Sequence, residues 1–361
     1  MWMLIFMVLP FVAIAYIVWH VWVLLPLPAF WKSLSIATGI ICFVMLFLYF
    51  GRKFDTLPLP LAQVAYEIGT SSIFILLYLV IIFLVLDLGR LCHLVPKTVL
   101  YQNGYTSIGI IILILGLFLY GNLHYHNKVR VPLELKSSKP LPHDYKVVMA
   151  SDLHLGYHNP RKELARWVDM INAEHPDFIL IAGDIIDGSM RPLMEEHMAE
   201  EFHRLQAPVY ACIGNHEYYT GEPQARQFYK DAGIHLLIDE SAMIDSSIVI
   251  IGRDDRTNMR RKPVRNLVTD HSRFTIILDH QPYHLNHSEA AGADFQFSGH
   301  THRGQVWPIS WITDHIYECS WGEYQSGNTQ YYVSSGLGIW GGKFRIGTQS
   351  EYVVATILQH R

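Results

Sequence analysis

Only eight charged side chains occur in the first 123 residues of this 361-residue chain: Lys32, Arg52, Lys53, Asp55, Glu67, Asp87, Arg90 and Lys97. Between them lie long apolar runs. A water-soluble domain has no place for so much contiguous apolar sequence, whereas a bilayer core about 30 Å thick is crossed by ~20 helical residues. The charge-free runs 1–26, 33–50, 68–86 and 107–123 therefore predict a transmembrane domain of four helices over residues 1–123. The first run has no Lys or Arg ahead of it and further runs follow, which argues against a cleaved secretory leader.

Four spans bring both ends of such a domain to one side. Arg52, Lys53, Lys128, Arg130, Lys136 and Lys139 would lie there, against Lys32, Arg90 and Lys97 opposite. The positive-inside bias then predicts a multi-pass cell-membrane protein whose remaining residues face the cytoplasm. His20 lies near a helix end and reads as an interfacial residue. Trp2, Trp19, Trp22 and Trp31 read as interface anchors.

Beyond Leu123 the chain changes character: of its 20 histidines only His20 and His93 come earlier. Residues 124–144 are polar and interrupted by Pro132, Pro140 and Pro142, the composition of an extended juxtamembrane linker. From 145 to 361, β-rich apolar runs alternate with helical patterns, which predicts an α/β domain. The strand-like runs are 146–150, 177–182, 209–213, 234–238, 248–251, 274–278, 295–297, 331–334 and 352–358, with helices over 161–175 and 193–205. A net charge of −4 supplies no general basic field for a polyphosphate, so no nucleic-acid partner is expected. The four cysteines, Cys42, Cys92, Cys212 and Cys319, form no CxxC pair, which argues against a disulfide framework or zinc knuckle.

Five of the strands end in polar clusters: Ser151-Asp152-Leu153-His154, Gly183-Asp184-Ile185-Ile186-Asp187, Gly214-Asn215-His216-Glu217, Asp279-His280-Gln281-Pro282 and Ser298-Gly299-His300-Thr301-His302. Strand ends form the ligand crevice of an open α/β sheet. Here they deliver carboxylate, imidazole and amide groups without a thiolate, a set suited to manganese, iron or zinc.

The ordered elements DxH, GDxxD, GNH[DE], a single His and GHxH resemble the signature of the calcineurin-like metallophosphoesterase superfamily. Residues around 151–156, 214–218, 278–282, 298–305 and 333–338 resemble its membrane-associated bacterial branch, which includes YkuE. The resemblance implies an αββα sandwich, two mixed sheets flanked by helices, over 145–361. It also implies two divalent metal ions, Asp152, His154 and His302 holding one, Asn215, His280 and His300 the other, and Asp184 bridging them. The implied reaction is hydrolysis of a phosphoester or pyrophosphate by metal-activated hydroxide. By the same resemblance, His216 is the non-ligand catalytic histidine and Asp187 orients it.

One position departs from the pattern. Protein Ser/Thr phosphatases of this superfamily carry an Arg after the second Asp of GDxxD, and here Gly188 stands there. A phosphoprotein substrate is correspondingly disfavoured. The segment with Arg303, Trp307, Trp311, Trp321, Trp340, Lys343 and Arg345 is aromatic and basic, suited to an amphiphilic phosphate headgroup. His158 follows the first cluster closely enough to reach substrate. Partners expected from the sequence are thus the lipid bilayer and a phosphorylated lipid or small molecule. The competing readings are a phosphodiesterase or nucleotidase for soluble substrates and a non-catalytic metal-binding regulatory module.

Overall fold

The computed structural model of the chain describes residues 2–359, with side chains described from Leu9 onward. It divides into two compact units, Met1–Asn122 with Gly341–Lys343, and Leu123–Trp340 with Phe344–Arg361.

The first unit is built on α1 (Trp2–Leu24), α2 (Ala29–Phe50), α3 (Leu59–Leu91) and α4 (Gly104–His126). Of these, α2, α3 and α4 are long and apolar enough to cross a membrane, and in α1 the stretch Leu9–Leu24 is apolar. Against four expected spans, three thus meet the length of a crossing among the described residues. Helix α3 extends well past the expected 68–86. Pro60 sits in its first turn, where a missing N–H costs nothing, and Glu67, Asp87 and Arg90 lie inside it. Charge-free runs mark apolar cores and not helix ends.

Asp87 also gives His20 a partner, and the His20 side chain is buried among the helices. Its Nε2 lies 3.0 Å from Asp87 Oδ2, to which the Tyr16 hydroxyl donates at 2.7 Å. The His20 ring stacks on Phe83. Trp19, Trp22 and Trp31 are exposed on the helix surfaces, as interface anchors would be. The side chain of Trp2 lies outside the described residues.

The second unit is an α/β sandwich of two mixed six-stranded sheets. The strands are β1 (Lys128–Lys136), β2 (Tyr145–Ala150), β3 (Phe178–Ala182), β4 (Val209–Cys212), β5 (His235–Leu236), β6 (Glu240–Ile244), β7 (Ile248–Gly252), β8 (Phe274–Leu278), β9 (Phe295–Ser298), β10 (Gly322–Ser326), β11 (Thr329–Val333) and β12 (Ser350–Leu358). One sheet has the order β1-β12-β2-β3-β4-β5 and the other β10-β11-β9-β8-β7-β6.

Period-two alternation puts apolar residues on both faces of each inner strand. Val147 and Met149 of β2 join Phe178, Leu180, Ile250, Ile276 and Phe297 in the layer between the sheets. Val148 and Ala150 face the other way, onto helix α5 (Arg161–Asn172). That helix presents Leu164, Trp167, Val168 and Ile171, an i, i+3, i+4, i+7 stripe, to the sheet.

Two stretches differ from the sequence expectation. Residues 128–136, inside the stretch expected to be linker, form β1, which pairs in parallel with β12 from Lys128↔Ser350 to Lys136↔Leu358. Pro132 is tolerated because β1 is an edge strand, and Leu133 and Leu135 are buried. The expected helix 193–205 is two short ones, Arg191–Glu195 and Ala199–Phe202, interrupted where His197 takes φ 51°.

Candidate metal centre

Backbone hydrogen bonds tie the strand end at Ser151 to that at Gly183, and the strand end at Asp279 to that at Ser298. Asp152 N donates to Gly183 O at 3.1 Å, His154 N to Asp184 O at 2.9 Å, and Gly299 N to His280 O at 2.9 Å. The loops approach so closely that a Cβ on Gly214 would overlap the Asp184 carboxylate, and one on Gly299 the Asp152 carboxylate. Glycine in the GNH and GHxH elements is thus a steric requirement of the site.

This approach gathers Asp152, His154, Asp184, Asp187, His216, His280, His300 and His302, side chains named from sequence. Three overlapping groups each offer ligand atoms within 4.8 Å of one another: Asp152, His154 and His302; His154, Asp184 and His216; Asp184, His280 and His300. His154 Nε2 lies 3.1 Å from His302 Nε2, and His302 Nε2 lies 3.5 Å from Asp152 Oδ1. Asp184 Oδ2 is 3.0 Å from His280 Nε2 and 3.8 Å from His154 Nε2. Asp184 therefore belongs to both ends of the cluster. His216 Nδ1 sits 3.2 Å from Asp187 Oδ1, and His216 N donates to Asp184 Oδ1 at 2.9 Å.

Backbone strain concentrates at the same residues. Asp152 (φ 55°), His154 (φ 44°), Asp184 (φ 51°), His300 (φ 72°) and His302 (φ 48°) all take the left-handed conformation. Each costs about 1–3 kcal/mol for a non-glycine residue and persists only where its surroundings hold it.

The electrostatics follow from packing acids against imidazoles out of water. Burial raises the Asp152 carboxyl, with the Asp184 charge adding to it. Burial opposes charge on Asp184 too, but His280, His216 and His154 override it and hold the carboxyl well below its usual range. Burial pushes His216 down, yet Asp184 and Asp187 lift it to about 9. His300 falls to about 4, chiefly by burial and the His280 charge. Burial and His154 also depress His302.

These residues fit divalent cations. Asn215 Oδ1 is buried and has no hydrogen-bond partner among the described residues, and a buried amide oxygen so placed costs free energy unless something positive meets it. The donors of the three groups are carboxylate oxygen and imidazole nitrogen, the chemistry of manganese, iron or zinc sites.

Three supporting residues escaped the sequence reading or were misread there. Glu217 is fully buried and accepts from the backbone N–H of Asp184 (3.1 Å), Ile186 (3.0 Å) and Gly214 (2.8 Å) and from the Tyr229 hydroxyl (3.1 Å). It clamps two ligand-bearing loops together, and the acidic residue of GNH[DE] was its only signal. Arg345 is fully buried and not part of a headgroup-facing surface. Its guanidinium donates to the carbonyls of His302 (2.7 Å) and Ser335 (2.5 Å). His158 does not reach toward substrate: it is buried, with Nε2 against Ile339 O at 2.5 Å.

A calcineurin-like phosphoesterase family model matches residues 145–304. An uncharacterized metallophosphoesterase of Campylobacter jejuni is 30% identical over 260 residues, covering 68% of each chain. The chain belongs to the calcineurin-like metallophosphoesterases, metal-dependent enzymes that cleave phosphoesters. The uncharacterized metallophosphoesterase YkuE of Bacillus subtilis is 29% identical over 248 residues, 62% of this chain and 83% of the relative. A Danio rerio protein named as a transmembrane protein with a metallophosphoesterase domain is 30% identical over 226 residues, 57% of this chain and 51% of the relative.

Proposed function

We propose that the chain is a multi-pass membrane phosphoesterase with a two-metal centre that hydrolyses a lipid-linked phosphoester or pyrophosphate. The observation that carries the chemistry is the convergence of five strand ends on Asp184, whose carboxylate is shared between two ligand groups. In this reading Asp152, His154 and His302 hold one cation and Asn215, His280 and His300 the other, with Asp184 between them. Two bound divalent cations would supply Lewis acidity toward the phosphoryl oxygens and a water acidic enough to attack phosphorus.

The side chains do the rest. Asp187 holds His216 Nδ1, its backbone carbonyl 3.1 Å and its carboxylate 3.2 Å away, and leaves Nε2 to carry the proton for the leaving oxygen. Positive charge lies beside the site at Arg303, stacked 4.0 Å over Trp321, and at Arg256, 3.9 Å over Tyr283.

A lipid-linked substrate is favoured by the helix Ile309–Ile316, which follows directly on the His300–His302 loop. Its Trp311, Ile312 and Ile316 are exposed, as is Trp307 before it, an apolar shelf beside a phosphate-cleaving site. Tethering by membrane spans raises the effective concentration of a bilayer-borne substrate. The basic residues Arg52, Lys53 and Lys136 support a cytoplasmic catalytic unit in this reading. Labelling of Ser138→Cys from outside intact cells, in a chain that also carries Cys92→Ser, would overturn that orientation.

The test of function is phosphate or nitrophenol release by the detergent-solubilised full chain with Mn²⁺, on an alkyl monoester, a nitrophenyl diester, a soluble nucleotide and a lipid pyrophosphate. The lipid is expected to be preferred, with activity abolished by EDTA and by Asp184→Asn. Faster turnover of soluble nucleotides than of any lipid phosphate would overturn the substrate class.

A further inference from the structure

The last turn of α4 reaches the loop that carries Asp152 and His154. Tyr125, in that turn, is fully buried and donates its hydroxyl to Asn159 Oδ1 at 2.9 Å. Asn159 is also fully buried, and its Nδ2 donates to the carbonyls of Leu153 at 3.0 Å and His154 at 3.1 Å. Those carbonyls flank the residue whose backbone is forced to φ 44°.

The chemistry of the amide makes the tyrosine matter. Were the Asn159 amide turned over, its oxygen would face two carbonyl oxygens and its NH₂ would face the phenol. The Tyr125 O–H, by donating to Oδ1, selects the orientation in which both amide hydrogens serve the ligand loop. Tyr125 is fixed in turn, because Lys128 Nζ sits 3.4 Å above its ring centre. The same loop is braced from the other side, where Gly338 N donates to Asp152 O at 3.0 Å.

We propose that Tyr125 and Asn159 are positioning residues for the metal centre. The final turn of a helix of membrane-crossing length thereby holds the Asp152–His154–His302 position in its ligating geometry. The role of α4 is then more than attachment. The inference rests on the two-metal reading above, and it assigns a role that none of the five signature elements contains.

The test is calorimetric titration of Mn²⁺ into the full chain in detergent, for wild type and Tyr125→Phe, with thermal unfolding recorded on both. Removing an outer hydrogen-bond partner of a ligand commonly weakens metal binding by about 10–100-fold. Tyr125→Phe is expected to weaken one Mn²⁺ site by about tenfold, leave the other unchanged, and regain activity in excess Mn²⁺. Asn159→Ala is expected to weaken the same site, with no further loss in the double variant.

If Tyr125→Phe lowers the unfolding temperature while both sites keep wild-type affinity, the positioning role is overturned and the metal centre stands. Equal weakening of both sites also overturns it, because that is the signature of general loosening. If wild type binds no Mn²⁺, the metal centre itself falls and the inference with it.

Discussion

The helical unit and the catalytic unit obey different rules of construction. In the helical unit, composition alone makes the elements: any run of apolar residues long enough to cross the hydrocarbon core forms a helix, whatever its order. The Tyr16–Asp87–His20 group is a local polar clamp between α1 and α3. In the catalytic unit, apolar residues build the sheets, but the site exists only through hydrogen-bonded loops forced into unfavourable backbone conformations. Burial secures an element in both units. Only the second needs a hub of polar contacts to produce a function.

That difference is measurable by removing comparable groups from each unit. The largest effect is expected at His216. For His216→Gln, kcat on an alkyl phosphate should fall at least about a hundredfold through loss of general-acid catalysis. The loss should be much smaller on p-nitrophenyl phosphate, whose leaving group departs without a proton. Equal losses on the two substrates would show that His216 acts on metal binding or charge instead.

Arg345→Met comes next. It strips the His302 and Ser335 carbonyls of a charged donor, and each such hydrogen bond is worth about 1.5–3 kcal/mol. Thermal unfolding should shift by that order, accompanied by loss of bound Mn²⁺. The parallel substitution in the helical unit, Asp87→Asn, should cost only about 0.5–2 kcal/mol, the range for polar contacts between membrane helices. Turnover of a soluble ester should not change. A large loss of activity there would break the contrast between the two units.

The smallest effect concerns Glu174, whose carboxylate accepts from Arg130 at 2.7 and 3.0 Å and lies 3.2 Å from Lys146 Nζ. The Arg130 hydrogen bonds, against burial and with Lys146 assisting, hold its carboxyl down near about 2, from an ordinary value of 4.5. A carboxyl depressed in the folded state contributes stability above its unfolded value and loses it as pH falls toward the folded one. Wild type should therefore unfold at a higher temperature than Glu174→Gln at neutral pH. The gap should close as pH falls from about 4.5 to about 2; a constant gap would show that charge plays no part.

How far the sequence was legible follows the same division. The apolar cores of α2, α3 and α4 could be read from missing charge. Their ends could not, because a helix continues past its apolar core wherever the next residues tolerate it, as α3 does through Glu67 and Asp87. The inner strands could be read from their apolar runs. The edge strands β1, β6 and β10 could not, since half their residues face solvent and their pairing is decided by partners distant in sequence.

Residues that would touch a metal were readable because chemistry restricts them to acids, amides and imidazoles at strand ends. Glu217, Arg345, Tyr125 and Asn159 were not, because each acts by meeting a backbone group or another side chain brought near by folding. The buried state of His20 escaped for the same reason: its partner lies 67 residues away.

The central claim is that Asp184 is shared between two metal ions. Electron paramagnetic resonance of the Mn²⁺-loaded full chain tests it most directly. The account predicts the spectrum of an exchange-coupled dimanganese pair, replaced in Asp184→Asn by that of isolated or absent Mn²⁺. A wild-type spectrum of single uncoupled ions, or a coupled spectrum that survives Asp184→Asn, would contradict it.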